Sequence, residues 1–95
     1  MIFNYNLLKP LSLLLETRSI SDAAKQMSTS SSAISRTLRN LREIFEDELL
    51  TRKNGRMELT PKAISLRAKV NNIVSEINSL SEELAFEPSK TVATV

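Results

Sequence analysis

Residues 19–41, Ser-Ile-Ser-Asp-Ala-Ala-Lys-Gln-Met-Ser-Thr-Ser-Ser-Ser-Ala-Ile-Ser-Arg-Thr-Leu-Arg-Asn-Leu, read as two short helices meeting at a tight turn. Ser21 is placed to cap the first helix, with Asp22 beside the positive end of its dipole and Ala23, Ala24 and Met27 as its apolar side. Met27-Ser28-Thr29-Ser30 breaks that rhythm, and Ser30 or a neighbouring serine can satisfy the free amides that open the second helix. There Ile34, Leu38, Leu41 and Phe45 fall at spacings of four, three and four, which gathers them into one buried stripe. The opposite face holds Ser32, Arg36, Arg39, Asn40 and Glu43, with Ser31 and Ser35 at its margins. Small Ala24 and Ala33 let the two helices approach closely. This is the layout of a helix-turn-helix, and its exposed face has the chemistry of major-groove reading: arginine forms paired hydrogen bonds to a guanine edge, and serine hydroxyls reach bases or phosphates. An ordinary amphipathic hairpin with a solvated polar face fits the same residues, so the following segment decides.

Residues 49–60, Leu-Leu-Thr-Arg-Lys-Asn-Gly-Arg-Met-Glu-Leu-Thr, predict two short strands joined at Asn54-Gly55, the dipeptide that best tolerates the positive dihedrals of a tight hairpin turn. Gly55 is the only glycine in the chain. Arg52, Lys53 and Arg56 cluster at this turn and make its tip a basic finger beside the candidate recognition helix. Such a wing touches phosphates or enters the minor groove, supplying affinity and orientation more than base identity.

Ser19-Ile20-Ser21-Asp22-Ala23-Ala24, Ser30-Ser31-Ser32-Ala33-Ile34-Ser35-Arg36, Leu41, Leu49-Leu50-Thr51-Arg52 and Leu59-Thr60-Pro61 together resemble the N-terminal winged helix-turn-helix of LysR-type transcriptional regulators. The resemblance spans roughly residues 4–84 without a large insertion. It implies a mainly α fold, three helices plus a two-stranded β wing, followed by a long linker helix that pairs antiparallel with a second copy. It also implies double-stranded DNA as the partner of a homodimer or tetramer, with a small-molecule effector sensed only by a separate C-terminal domain. Base and backbone contacts are carried over to Ser31, Ser32, Ser35 and Arg36 on the recognition helix, and to Arg52 and Arg56 on the wing. Arg39 and Lys53 join them on charge and position.

Several positions depart from the family pattern. Ser31-Ser32 stands where Gln-Pro is usual, which changes the groups offered at the start of the recognition helix. Leu50 and Ala63 replace a phenylalanine and a glycine. Arg42 replaces an acidic residue and is expected to add positive charge near the recognition helix. Arg18 replaces a glycine, so it either adopts a left-handed conformation or ends the first helix differently.

The 95 residues allow one modest core, and 41% hydrophobic content suits a folded chain. With no cysteine and no histidine the chain offers no disulfide, thiol nucleophile, imidazole base or common zinc ligand set, and no cofactor is expected. Nothing approaches the roughly twenty apolar residues of a membrane span, and the amino end has neither the basic region nor the cleavage site of a signal peptide. The expected location is cytoplasmic, associated with the bacterial nucleoid. The net charge of +2 conceals a polarity. Residues 1–69 hold 12 Lys and Arg against 7 Asp and Glu (+5), and residues 70–95 hold 1 against 4 (−3). Only the basic head is suited to approach a polyanion.

The first helix is expected from near Asn6 to Glu16, with Leu7, Leu8, Leu11, Leu14 and Leu15 facing the core. Either it begins close to Pro10 or it forgoes one backbone hydrogen bond. The last helix, from Pro61 to about Leu84, carries Ala63, Leu66, Val70, Ile73, Ile77, Leu80 and Leu84 at spacings of three and four, a heptad seam. At 1.5 Å per residue it spans roughly 36 Å, more than the diameter of the globule before it. Its start packs on its own domain, and from Val70 to Leu84 it is expected to meet a partner chain; Leu66, Val70, Ile73, Ile77, Leu80 and Leu84 are the candidate dimerisation residues. The chain thus divides into a DNA-reading domain (1–60), a linker helix (61–85) and a hinge (86–95), where Lys90-Thr91-Val92-Ala93-Thr94-Val95 alternates like a strand and the resemblance places the start of an effector domain. The chain is therefore read either as the N-terminal piece of a longer regulator or as a naturally short protein.

Other function classes fit less well. A protein-interaction module leaves Arg36, Arg39 and the basic wing without a role. An enzyme lacks a group to activate its serines and lacks a glycine-rich phosphate loop. Single-strand or RNA binding lacks aromatics interleaved with the basic residues.

Overall fold

The computed structural model describes residues 5–85. A 3-10 turn, Tyr5–Leu7, leads into α1 (Leu8–Thr17), followed by α2 (Ile20–Gln26), α3 (Ser31–Phe45), β1 (Leu50–Lys53), β2 (Arg56–Leu59) and α4 (Pro61–Ala85). The chain is a mainly helical winged helix-turn-helix with one antiparallel two-stranded sheet.

Helix α1 begins at Leu8 rather than near Asn6, which makes Pro10 its third residue. An amide there has no partner inside a helix, so the proline costs the ladder nothing. Arg18 ends α1 in the left-handed region (φ 53, ψ 32), with its N–H on the Leu14 carbonyl at 2.9 Å. The turn at Arg18 delivers Ser19 in an extended conformation, and the cap of α2 is therefore Ser19, not Ser21. Ser19 Oγ accepts the Asp22 N–H at 3.1 Å, whereas Ser21 already lies in the first turn. A cap must hold non-helical dihedrals, and of these two serines only Ser19 does.

Between α2 and α3 the Ser28 N–H bonds to the Lys25 carbonyl (3.1 Å) and the Thr29 N–H to the Ala24 carbonyl (2.9 Å). This pair of bonds closes a helix around a left-handed residue, here Ser28 at φ 55. Ser30 then caps α3 as expected, its Oγ accepting the Ala33 N–H at 3.1 Å.

The core gathers Leu8, Leu11, Leu14 and Leu15 of α1, Ala23 and Ala24 of α2, Ile34, Leu38 and Leu41 of α3, then Leu49, Leu50, Ala63 and Val70. Phe45, the last member of the α3 stripe, is half-buried against it. Full burial of each leucine contributes on the order of 1.5–3 kcal/mol, so the α1 leucines are the platform on which the helix-turn-helix rests. The hairpin pairs Leu50 with Leu59, Thr51 with Glu58, Arg52 with Met57 and Lys53 with Arg56. Asn54 and Gly55, both at positive φ (53 and 76), make the expected turn.

Thr60 opens α4, its Oγ1 accepting the Ala63 N–H at 3.1 Å. The helix packs along α1, and Glu16 Oε2 accepts from Asn71 Nδ2 (3.0 Å) and Arg67 Nε (3.4 Å) across that contact. The apolar stripe of α4 divides. Ala63 and Val70 are buried in their own chain, and Leu66, Val74 and Ile77 pack against the same core. Val70 is only 5% exposed, so the expected departure of the stripe at Val70 is corrected: the α1 leucines cover it first. Ile73, Leu80 and Leu84 remain exposed, at 44%, 59% and 74%. The expected hinge and strand at 86–95 lie outside the described residues.

Candidate nucleic-acid interface

Two basic elements project from this core. On α3, burying Ile34, Leu38 and Leu41 turns the opposite face outward by helical geometry alone. Ser31, Ser32, Ser35, Arg36, Arg39, Asn40 and Glu43 are all exposed. Ser32, Arg36, Arg39 and Glu43 follow one another at spacings of four, three and four and line up along roughly 16 Å of helix. The first turn also carries the positive end of the helix dipole, which favours an approaching phosphate.

The second element is the wing tip, where Arg52, Lys53, Asn54, Gly55 and Arg56 are exposed. The register decides which cations act together. Lys53 faces Arg56 directly across the strands, on the same side of the sheet as Thr51 and Glu58. Arg52 lies on the other side with Leu50, Met57 and Leu59, the side that packs on the core. Like charges placed opposite one another destabilise a hairpin, an arrangement that a polyanion between them would relieve. Arg18 extends this positive surface. It lines, with Thr17, Arg56, Met57, Glu58, Leu59 and Ile64, a shallow depression of about 390 Å³ between the end of α1 and β2. Sequence reading treats Arg18 as a backbone problem only; its proximity to Arg56 is created by tertiary folding and has no local mark.

Arg42 corrects an expectation. Its guanidinium does not add free charge to the recognition surface but turns back onto the segment between α3 and β1. Nε donates to the Glu48 carbonyl (2.7 Å) and lies 3.5 Å from Glu48 Oε1, and Nη2 donates to the Leu50 carbonyl (2.8 Å). The same segment is held by further bonds. Asp47 Oδ2 accepts the Leu49 N–H (2.8 Å) and the Thr60 hydroxyl (2.5 Å), and Lys62 Nζ donates to the Phe45 carbonyl (2.7 Å). Those donors, the Thr60 hydroxyl first and the Leu49 N–H second, hold the Asp47 carboxyl below its ordinary pKa. Glu16 is lowered likewise, by the Asn71 amide and then by Arg67. Among the described residues no group of His, Cys, Asp and Glu is arranged to hold a metal ion, and no helix is long and apolar enough to cross a membrane.

The model of the family described as bacterial regulatory helix-turn-helix protein, lysR family, matches residues 5–64. HTH-type transcriptional regulator SyrM 2 of Sinorhizobium fredii is 37% identical over 75 residues, which is 79% of this chain and 22% of that protein. Nodulation protein D 2 of Rhizobium leguminosarum bv. phaseoli is 33% identical over 87 residues, 90% of this chain and 27% of the relative. The chain therefore spans about a quarter of the length of the curated relatives it matches. Among solved structures, the probable transcriptional regulator PA0477 from Pseudomonas aeruginosa superposes with a TM-score of 0.82 at 33% identity, over 90% of this chain and 29% of the other. The complex of BenM_DBD with catB site 1 DNA shares the fold, at a TM-score of 0.75 and 21% identity, over 87% of this chain and 97% of the other.

Proposed function

The chain belongs to the lysR family of bacterial regulatory helix-turn-helix proteins, and from this we infer that it is the sequence-reading part of a cytoplasmic, nucleoid-associated transcriptional regulator that binds double-stranded DNA. The observation that carries the reading is the outward row of Ser32, Arg36 and Arg39 on a helix whose other side is locked into the core, next to a wing tip of opposed cations. The solved complex of a protein of the same fold with DNA supports it. Ser31, Ser32, Ser35, Arg36 and Arg39 approach the major groove, and Arg52, Lys53 and Arg56 contact the adjacent backbone or minor groove. Residues 1–60 form the reading domain, 61–85 the linker helix and 86–95 a hinge towards an effector domain.

The chain acts as a homodimer in this reading. Ile73, Leu80 and Leu84 form the seam, while Leu66, Val70 and Ile77 tie the helix to its own domain from beneath. Two recognition helices then enter successive major grooves on one face of the duplex, and the site is an interrupted inverted repeat. Ile73→Asp is expected to yield monomers in sedimentation; an intact dimer would sink this seam.

Selection of bound duplexes from a random pool at moderate salt, sequenced for wild type and Arg36→Ala side by side, tests the reading. An enriched inverted repeat that loses definition at one position per half-site in the variant supports it. Binding without enrichment reduces the chain to a non-specific DNA binder, and absence of binding points to an interaction module.

A further inference from the structure

The geometry points to Arg42 as the positioning residue of the wing: a strut from the recognition helix that fixes where the basic hairpin stands, with no DNA contact of its own. The inference rests on the DNA-binding reading above for its consequence, but not for its structural part.

The segment it braces is awkward to hold. Leu49 is buried, yet sits at φ 66, a region that side chains other than glycine rarely adopt. A conformation of that kind persists only when its surroundings over-determine it. The carbonyls of Glu48 and Leu50, on either side of Leu49, both point at one guanidinium, and the fixed fork of arginine spans two acceptors that a single ammonium serves less well. Leu50 is the first residue of β1 and pairs with Leu59, so fixing its carbonyl fixes the base of the hairpin. Arg42 itself lies in α3, one residue beyond buried Leu41. A single side chain therefore references the wing to the helix that carries Arg36 and Arg39. Other bonds hold the segment too, Asp47 Oδ2 accepting from the Leu49 N–H and the Thr60 hydroxyl, the Leu49 carbonyl accepting the Thr60 N–H, the Glu48 carbonyl accepting the Leu50 N–H and Lys62 reaching the Phe45 carbonyl, but none of them reaches the Leu50 carbonyl.

Arg42→Met removes the fork and keeps the apolar stem, and Arg42→Lys keeps the charge. Two measurements separate a strut from a surface cation. In the free protein, ¹⁵N relaxation of wild type and Arg42→Met is expected to show added backbone motion confined to about residues 46–60, with the helical circular dichroism unchanged; unchanged wing relaxation would overturn the proposal without reference to DNA. On a duplex that the wild type binds, Arg42→Met is expected to weaken binding about tenfold, and Arg42→Lys to recover less than half of that loss on a logarithmic scale. In the Lys53→Ala/Arg56→Ala background the same Arg42→Met change is expected to cost less than about twofold, because the wing it positions no longer contributes. Full additivity of the losses, or complete rescue by lysine, would make Arg42 a direct phosphate contact and refute the strut. A wild type that binds no duplex would refute the DNA-binding reading and leave the relaxation test standing.

Discussion

The recognition helix and the wing both offer basic side chains, but they stand on very different foundations. Helix α3 buries three large residues, Ile34, Leu38 and Leu41, directly beneath its exposed face, so Arg36 and Arg39 project from a rigid rod. The wing has one buried residue, Leu50, at its base, three half-buried ones, Thr51, Met57 and Leu59, and a tip whose residues are all exposed. Reading bases requires donors fixed to a fraction of an ångström, whereas neutralising phosphates requires only charge within reach. Under the proposed reading, the better-anchored element is the one assigned to reading identity and the more exposed one the one assigned to gathering affinity.

The largest blow to that contrast is struck from inside. Leu41→Ala deletes a fully buried anchor of α3 and is expected to cost about 2–5 kcal/mol in urea unfolding, well beyond the cost of Met57→Ala on the wing. Equal losses would mean that the two elements share one foundation. Smaller, and on the binding side, Arg36→Ala is expected to cost on the order of 1–3 kcal/mol at a preferred site and to relax one position. Lys53→Ala should instead weaken all duplexes alike and reduce the salt slope by about one. Identical profiles for the two variants across unrelated duplexes would erase the division of labour.

The smallest effect concerns the wing base alone. Because the Asp47 carboxyl is held below its unfolded pKa, its contribution is present in full above the unfolded value of about 3.9 and is lost as the pH falls through the lower folded one. Asp47→Asn should therefore be less stable than wild type near neutrality and show a shallower loss of stability below about pH 4. Parallel acid-denaturation curves would show that the Thr60 and Leu49 bonds to Asp47 contribute nothing.

Much of this architecture is legible in the residues themselves. Asn54-Gly55 dictates its turn because both positions need positive φ, and the three-and-four spacing of Ile34, Leu38 and Leu41 dictates which face of α3 is free. The start of α2 is misread locally, since Ser21 has the chemistry of a cap, but the left-handed turn at Arg18 leaves Ser19 in the extended conformation a cap needs and draws Ser21 into the first turn. Arg42 misleads for a different reason. A cation one residue beyond the buried stripe looks solvent-facing until a segment eight residues on returns its carbonyls to it. Val70 falls between partner and core for the same cause, because nothing within α4 announces that α1 lies alongside. At Arg42 and Val70 the sequence hides a contact that helical spacing alone does not show.

The α1–α4 contact has a consequence for the order in which the molecule assembles. The α2–α3 pair and the β-hairpin join neighbours in sequence and can form as soon as their own residues are available. Helix α1, by contrast, meets a partner more than fifty positions away, Glu16 reaching Arg67 and Asn71. Closing so long a loop is slow relative to turns and hairpins. During synthesis the α1 leucines can pack on α2 and α3 first, while the side of α1 that faces α4 stays open until Val70 has left the ribosome. The α1–α4 face is thus sealed only after the contacts of α1 with α2 and α3 are already available.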